Sequence, residues 1–217
     1  MGNTTSSERR VFPDTLSGFG YHLNAQGQLR HVDTGKFTHQ PFEYEVKKGD
    51  REYNQAHYEA LADVVSTIVE NDLTNKYNLK RQTIPLLQDL TRHRLDASLR
   101  MTVDPDDQDM TGAKSHIYLS SDALSNTEGL VILIQGSGAV RPGQWARSVI
   151  INDSLQMGSM GPFIDEAKQR GWAVLIANPN RNDVDHADQQ GRREFIPGSE
   201  SPEAHVSYIW DAFESSG

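Results

Sequence analysis

The chain has 217 residues, long enough for one main domain with an appendage, and its hydrophobic share of 36% sits toward the polar end for a packed protein. With 21 basic against 30 acidic residues the net charge is -9, so the overall field repels phosphate backbones and gives no support to non-specific nucleic-acid binding; no direct nucleic-acid contact is expected. There are no cysteines, which excludes disulfides, thiol catalysis and Cys-ligated zinc.

Residues 1–10 read as a disordered polar tail. Within it, Gly2 and Ser6 have the spacing of an N-myristoylation signal, giving a possible reversible membrane contact. No apolar run reaches the length of a membrane span, and the sequons at Asn3 and Asn152 are incidental in a chain expected in the nucleus and cytoplasm. Residues 11–83 form a small appendage: a hairpin from Tyr21 to Val32 turning at Asn24 to Gly27, then a helix over 51–72 behind the N-cap Asp50. Leu61, Val64, Val65, Ile68 and Val69 recur there at helical spacing.

Residues 84–115 show neither helical nor strand period and read as a surface excursion, its acidic run Asp104 to Asp109 being solvated. From 116 the pattern changes. His116 to Ser120 is a short strand, and Gly129 to Ile134 is a continuous apolar run of the kind covered on both faces. The glycine-rich loop Gln135-Gly136-Ser137-Gly138 follows. Pro162 opens a helix, Gly171 closes it, and Trp172 to Ala177 is a second buried strand. Strand, loop, helix and strand make a βαβ unit with parallel pairing, so the fold class is α/β. A polar stretch then runs from Asn178 to Gly198, and Ser201-Pro202-Glu203 starts a helix carrying Ile209, Trp210 and Phe213. Two central strands alone leave one strand edge bare.

The loop at 135–138 is the candidate site, because open α/β sheets bind ligands at the carboxyl ends of their strands. The dinucleotide fingerprint fails at Arg141, where a third Gly is required, and Pro142-Gly143-Gln144 does not supply a Walker Lys. What remains is a backbone turn able to form an oxyanion hole. Ser137 lies in no Gly-x-Ser-x-Gly frame, and none occurs anywhere in the chain. The eight histidines show no metal-ligand spacing, and Asp183 to Asp188 lacks the Gly and distal Glu of a calcium loop, so it reads as a solvated loop. No metal or cofactor is expected.

The chain resembles the argonaute-binding-protein domain family, whose vertebrate members are called cotranscriptional regulators. The resemblance rests on Phe12-Pro13-Asp14-Thr15-Leu16, Gly27-Gln28-Leu29-Arg30-His31, Tyr58-Glu59-Ala60-Leu61 and Asp122-Ala123-Leu124. Above all it rests on Gly136 to Arg147, with Arg141, Gly143, Gln144, Trp145 and Arg147 as motif residues. Ile150-Ile151-Asn152, Pro162-Phe163-Ile164, Asn178-Pro179-Asn180, Ser201 to His205 and Trp210-Asp211 continue in the same order.

The resemblance implies an α/β-hydrolase-like fold, of which residues 116–217 would be a truncated domain. Family members continue into a His-Ser-x-Gly-Gly turn resembling a nucleophile elbow, which this sequence does not contain, and they carry His where Gln135 stands. The resemblance also implies argonaute, chromatin and splicing partners, with roles in small-RNA-directed heterochromatin and alternative splicing. The expectation is a non-catalytic or truncated member, with Gln135, Gly136, Ser137 and Gly138 as a remnant loop. Two other readings are a fragment of a serine hydrolase and a pseudogene-like product without function.

Overall fold

The computed structural model describes residues 10–32, 41–86, 112–186 and 192–214. Gly2, the tail at 1–9 and the acidic run at 104–109 lie outside them. The chain divides into two compact units, one of residues 1–68 with 146–158, the other of 69–145 with 159–217.

In the first unit, β1 (Tyr21–Leu23) and β2 (Leu29–His31) pair antiparallel, Tyr21 opposite His31. The turn forms where its residues demand it. Asn24 Oδ1 accepts the amides of Gln26 and Gln28 at 3.0 and 2.9 Å, and Gly27 takes φ +69°, which only glycine adopts cheaply. Helix α1 (Arg51–Asn75) begins where Asp50 Oδ1 accepts the Tyr53 amide at 3.0 Å, and it runs three residues past the expected end. Leu61, Ala62 and Val65 are its buried face in this unit. Two short helices, α2 (Arg147–Asn152) and α3 (Leu155–Gly158), complete it, and the Leu155 amide donates to the Gly27 carbonyl at 2.8 Å.

The second unit is a mixed four-stranded sheet in the order β3-β4-β6-β5. Strands β3 (Lys80–Ile84) and β4 (Ser115–Leu119) are antiparallel, β4 is antiparallel to β6 (Ala173–Ile176), and β5 (Leu130–Leu133) is parallel to β6. Between β5 and β6 lies α4 (Gly161–Gln169), closed by Gly171 at φ +72° with the Trp172 amide on the Ala167 carbonyl at 2.9 Å. This is the βαβ unit expected from the sequence, extended beyond β6 by β4, which runs against the pair, and then β3, which runs with it.

Strand alternation sorts the core into two faces. Tyr118, Leu133, Val174 and Ile176 meet Leu73, Ile164 and Ala167 from α1 and α4. Ile117, Leu175 and Ala177 meet Ile209 of α5 (Pro202–Glu214), with Ile132 packed against them. Only one of the two apolar runs is central. All four residues of β6 are buried, whereas β5 is an edge, with Leu130 36% and Ile134 41% exposed. An uninterrupted apolar run reads alike in a central strand and an edge strand; β5 is covered on both faces only in its middle, where Leu133 is buried on one face and Ile132 packs with the Ile209 cluster on the other.

Asp183 to His186 is not a loop either: it is β7 (Asp183–His186), paired antiparallel with β8 (Arg192–Phe195), with Arg193 Nη2 3.5 Å from Asp183 Oδ2. Cross-strand hydrogen bonding and opposite charges hold this ribbon. No helix among the described residues is long and apolar enough to cross a membrane.

Candidate functional site

The loop after β5 stands at the carboxyl ends of the two parallel strands, and the Asn178-Pro179-Asn180 segment leaving β6 grips it. Asn180 Nδ2 donates to the carbonyls of Gly136 and Val140, each at 2.9 Å, and its Oδ1 accepts the Gly138 amide at 3.2 Å. One side chain thus closes the loop into a ring and occupies one of the amides that an oxyanion hole would need. Gly136, Ser137, Gly138 and Ala139 are exposed, and the Ser137 hydroxyl has no hydrogen-bond partner among the described residues.

Below the ring the residues are buried. Carried two positions beyond β6, the register sets Asn178 beside Gln135 on one flank and His116 on the other. All three are buried, and both polar atoms of the Gln135 side chain are without a partner among the described residues. Pro142, Gly143 and Gln144 are buried as well, with the Met160 amide on the Gly143 carbonyl at 2.8 Å. Gly143 sits at φ +84° against α1, where a Cβ would lie 2.8 Å from Val69 Cγ1. Trp145 packs edge-on against Phe163 at 5.4 Å and joins the core of α1 and α4. Arg147, the last motif residue, belongs to the other unit, where it opens α2.

A charged cluster borders this layer. Arg81 Nη2 meets His116 Nδ1 at 2.8 Å, and since guanidinium only donates, Nδ1 accepts and the proton sits on Nε2. His116 Nε2 lies 3.8 Å from Glu70 Oε2, beyond hydrogen-bond reach, while the Tyr118 hydroxyl donates to Glu70 at 3.1 Å. Burial raises the Glu70 carboxyl, but His116, Tyr118 and Arg141 together outweigh it and leave the group below its ordinary value. Burial and the Glu70 charge push the Tyr118 phenol up to about 12.

The second histidine near the sheet end, His205, was not singled out by spacing. It is fully buried on α5, its Nε2 accepting the Asn178 amide at 2.8 Å and its Nδ1 2.9 Å from Ser199 Oγ. Nε2 accepts from an amide, so Nδ1 carries the proton and donates to Ser199, whose hydroxyl donates in turn to the Arg181 carbonyl at 2.9 Å. Both ring nitrogens are committed, and burial, then repulsion from His116, lowers the imidazole to about 4. Such a ring is a structural keystone with no lone pair left for a serine. Among the described residues no three His, Asp or Glu side chains come together to hold a metal ion.

The Arb2 domain family model matches residues 12–216. The chain belongs to the Arb2 domain family. The mouse cotranscriptional regulator ARB2A is 33% identical over 93% of this chain and 54% of its own length, and the human protein of that name 39% identical over 80% and 36%. A nematode relative, the FAM172 family protein homolog Y75B8A.31, is 29% identical over 91% of this chain and 51% of its own. This Arb2 chain thus spans about half the length of the curated relatives it matches. No solved structure matches it. The vertebrate relatives are named as regulators, not as enzymes.

Proposed function

We propose that this Arb2 chain acts as a binding protein, without catalysis of its own, in argonaute-linked small-RNA silencing and in cotranscriptional control that includes alternative splicing, in nucleus and cytoplasm. The observation that carries the reading is the commitment of His205: this buried base near the sheet end is spent on Asn178 and Ser199, while Ser137 stands exposed with no hydrogen-bond partner among the described residues. A family fold that bound its partners without turnover would hold its loop in this way. The test is co-purification of argonaute with the tagged chain from nuclear and cytoplasmic extracts, paired with an exon-inclusion reporter. Argonaute recovery and altered inclusion support the proposal; neither, with the tagged protein present in the cell, refutes it.

An α/β-hydrolase-like architecture is part of the same proposal. Its support is the antiparallel β4 inserted before a parallel pair, with the glycine-rich loop at the end of β5. That loop is also what favours the rival reading of a serine hydrolase fragment. The two separate on acyl ester turnover. The recombinant chain is expected to show none above buffer, and Ser137→Ala to change nothing, because the hydroxyl has no base to accept its proton. Turnover abolished by Ser137→Ala would establish the hydrolase instead.

A further inference from the structure

Three polar side chains around the end of the sheet, Gln135, His116 and Gln144, are each more than nine-tenths buried. Among the described residues, both polar atoms of Gln135, His116 Nε2 and Gln144 Nε2 make no hydrogen bond. All three lie toward α1. Tyr118 and Leu133 pack against α1 and α4, and the alternation of the strands, carried two residues along each, sets His116 and Gln135 on that same face. Glu70 of α1, 3.8 Å from His116 Nε2, agrees with this. Gln144 comes to the face from the loop, since its neighbour Gly143 lies against Val69 and Leu73 of α1. Native interiors leave few buried polar groups unpaired, and a set gathered at one sheet end requires an occupant. There is room beside it. A Cβ on Gly136 or Gly138 would meet nothing within 4 Å, and Gly136 is exposed directly after the buried Gln135.

From this we propose that the sheet end is a binding site for a small α-hydroxy carboxylate, held by Gln135, His116 and Gln144 beneath the glycine-rich loop. The site is separate from the partner proposals above and needs neither argonaute nor RNA.

The unpaired groups select that class. His116 carries its proton on Nε2, because Nδ1 accepts from Arg81, so it offers one N–H. Gln144 Oε1 accepts the Arg141 amide at 3.5 Å, which leaves the two N–H groups of its own amide. With the two of Gln135 the row presents N–H donors in excess against one open acceptor, Gln135 Oε1. A carboxylate takes such donors on its two oxygens, and a hydroxyl on the adjoining carbon supplies the one donor that Gln135 Oε1 requires. Charge points the same way. Arg81 and Arg141 border the row against the carboxylate of Glu70, so the local balance favours a single negative charge although the chain as a whole is acidic. A phosphate brings more charge than this balance offsets.

The test is titration of the full chain with glycolate, acetate and inorganic phosphate, read by the side-chain amide and imidazole signals in NMR, together with urea midpoints of the ligand-free protein. Glycolate is expected to bind about tenfold tighter than acetate, the difference being one hydrogen bond to an otherwise unpaired buried group. Gln135→Leu should abolish that preference and at the same time raise the urea midpoint, because leucine removes two buried polar atoms that the chain leaves unpaired. Gln144→Met should weaken both carboxylates about tenfold and keep the preference for glycolate. A Gln135→Leu midpoint below that of the wild type would mean that the amide is paired within the chain, and it overturns the proposal. So does the absence of carboxylate binding, which leaves internal water as the occupant. Glycolate no tighter than acetate, phosphate tighter than glycolate, or glycolate binding that both variants leave unchanged overturns it as well.

Discussion

Acidifying the protein from about pH 7 to pH 4 is expected to remove about 3 kcal/mol of stability through His205 alone. The sign follows from the proton count. The unfolded imidazole titrates near 6.5 and the folded one near 4, so between these values the unfolded chain binds a proton that the folded chain excludes. Stability therefore rises with pH across that window and is fully present above it. Cooling this into a measurement requires urea midpoints at closely spaced pH values, compared with His205→Gln. The variant keeps a polar amide but has no titrating group, so it should be less stable at neutral pH and lose the slope between about pH 4 and 6.5. An equal slope in both proteins would mean that other groups govern acid unfolding and that His205 is solvated in a way its burial excludes.

Gly143→Ala is expected to destabilise the chain by about 3 kcal/mol, from two separable causes. The backbone at φ +84° costs a residue with a side chain about 1 to 2 kcal/mol. The added methyl would also lie 2.8 Å from Val69 Cγ1 and 3.1 and 3.2 Å from the two methyls of Leu73, which is overpacking against a helix. Val69→Ala removes the closest of these atoms. In that background the same glycine substitution should cost less, keeping the backbone share and the milder Leu73 contacts, so a double-mutant cycle is expected to show coupling of about 1 kcal/mol. Additive effects would place Gly143 away from α1.

Sequence patterns were legible wherever a signal was local. Asn24 to Gly27 specified a turn by its side-chain and glycine geometry, Gly171 stopped α4, and apolar runs located β5 and β6. Lys80 to Ile84 gave no such signal, since three of its five residues face solvent on an edge and only Ile84 is buried. The ribbon of β7 and β8 was hidden for the same reason, its residues being polar and its pairing a property of two segments at once. At the candidate site the glycine loop was visible, but its holder was not. Asn180 stands 44 and 40 positions from the two carbonyls it grips, and His205 is separated by 27 from the amide it accepts. Polar bonds of that range leave no periodicity behind. The family resemblance includes Asn178-Pro179-Asn180 and Ser201 to His205 as separate segments, and their order along the chain does not say that they meet.

The ring held by Asn180 separates what the loop is made of from what holds its shape. Every bond runs to a carbonyl or an amide of positions 136, 138 and 140, and none to a side chain. Ser137 and Ala139 can thus be exchanged over evolutionary time without loosening the frame, whereas Asp at 180 would set a carboxylate against two carbonyl oxygens. Mutational freedom is concentrated at the two exposed tips and withheld from a residue outside the loop, the division of labour by which a rigid scaffold acquires new recognition surfaces.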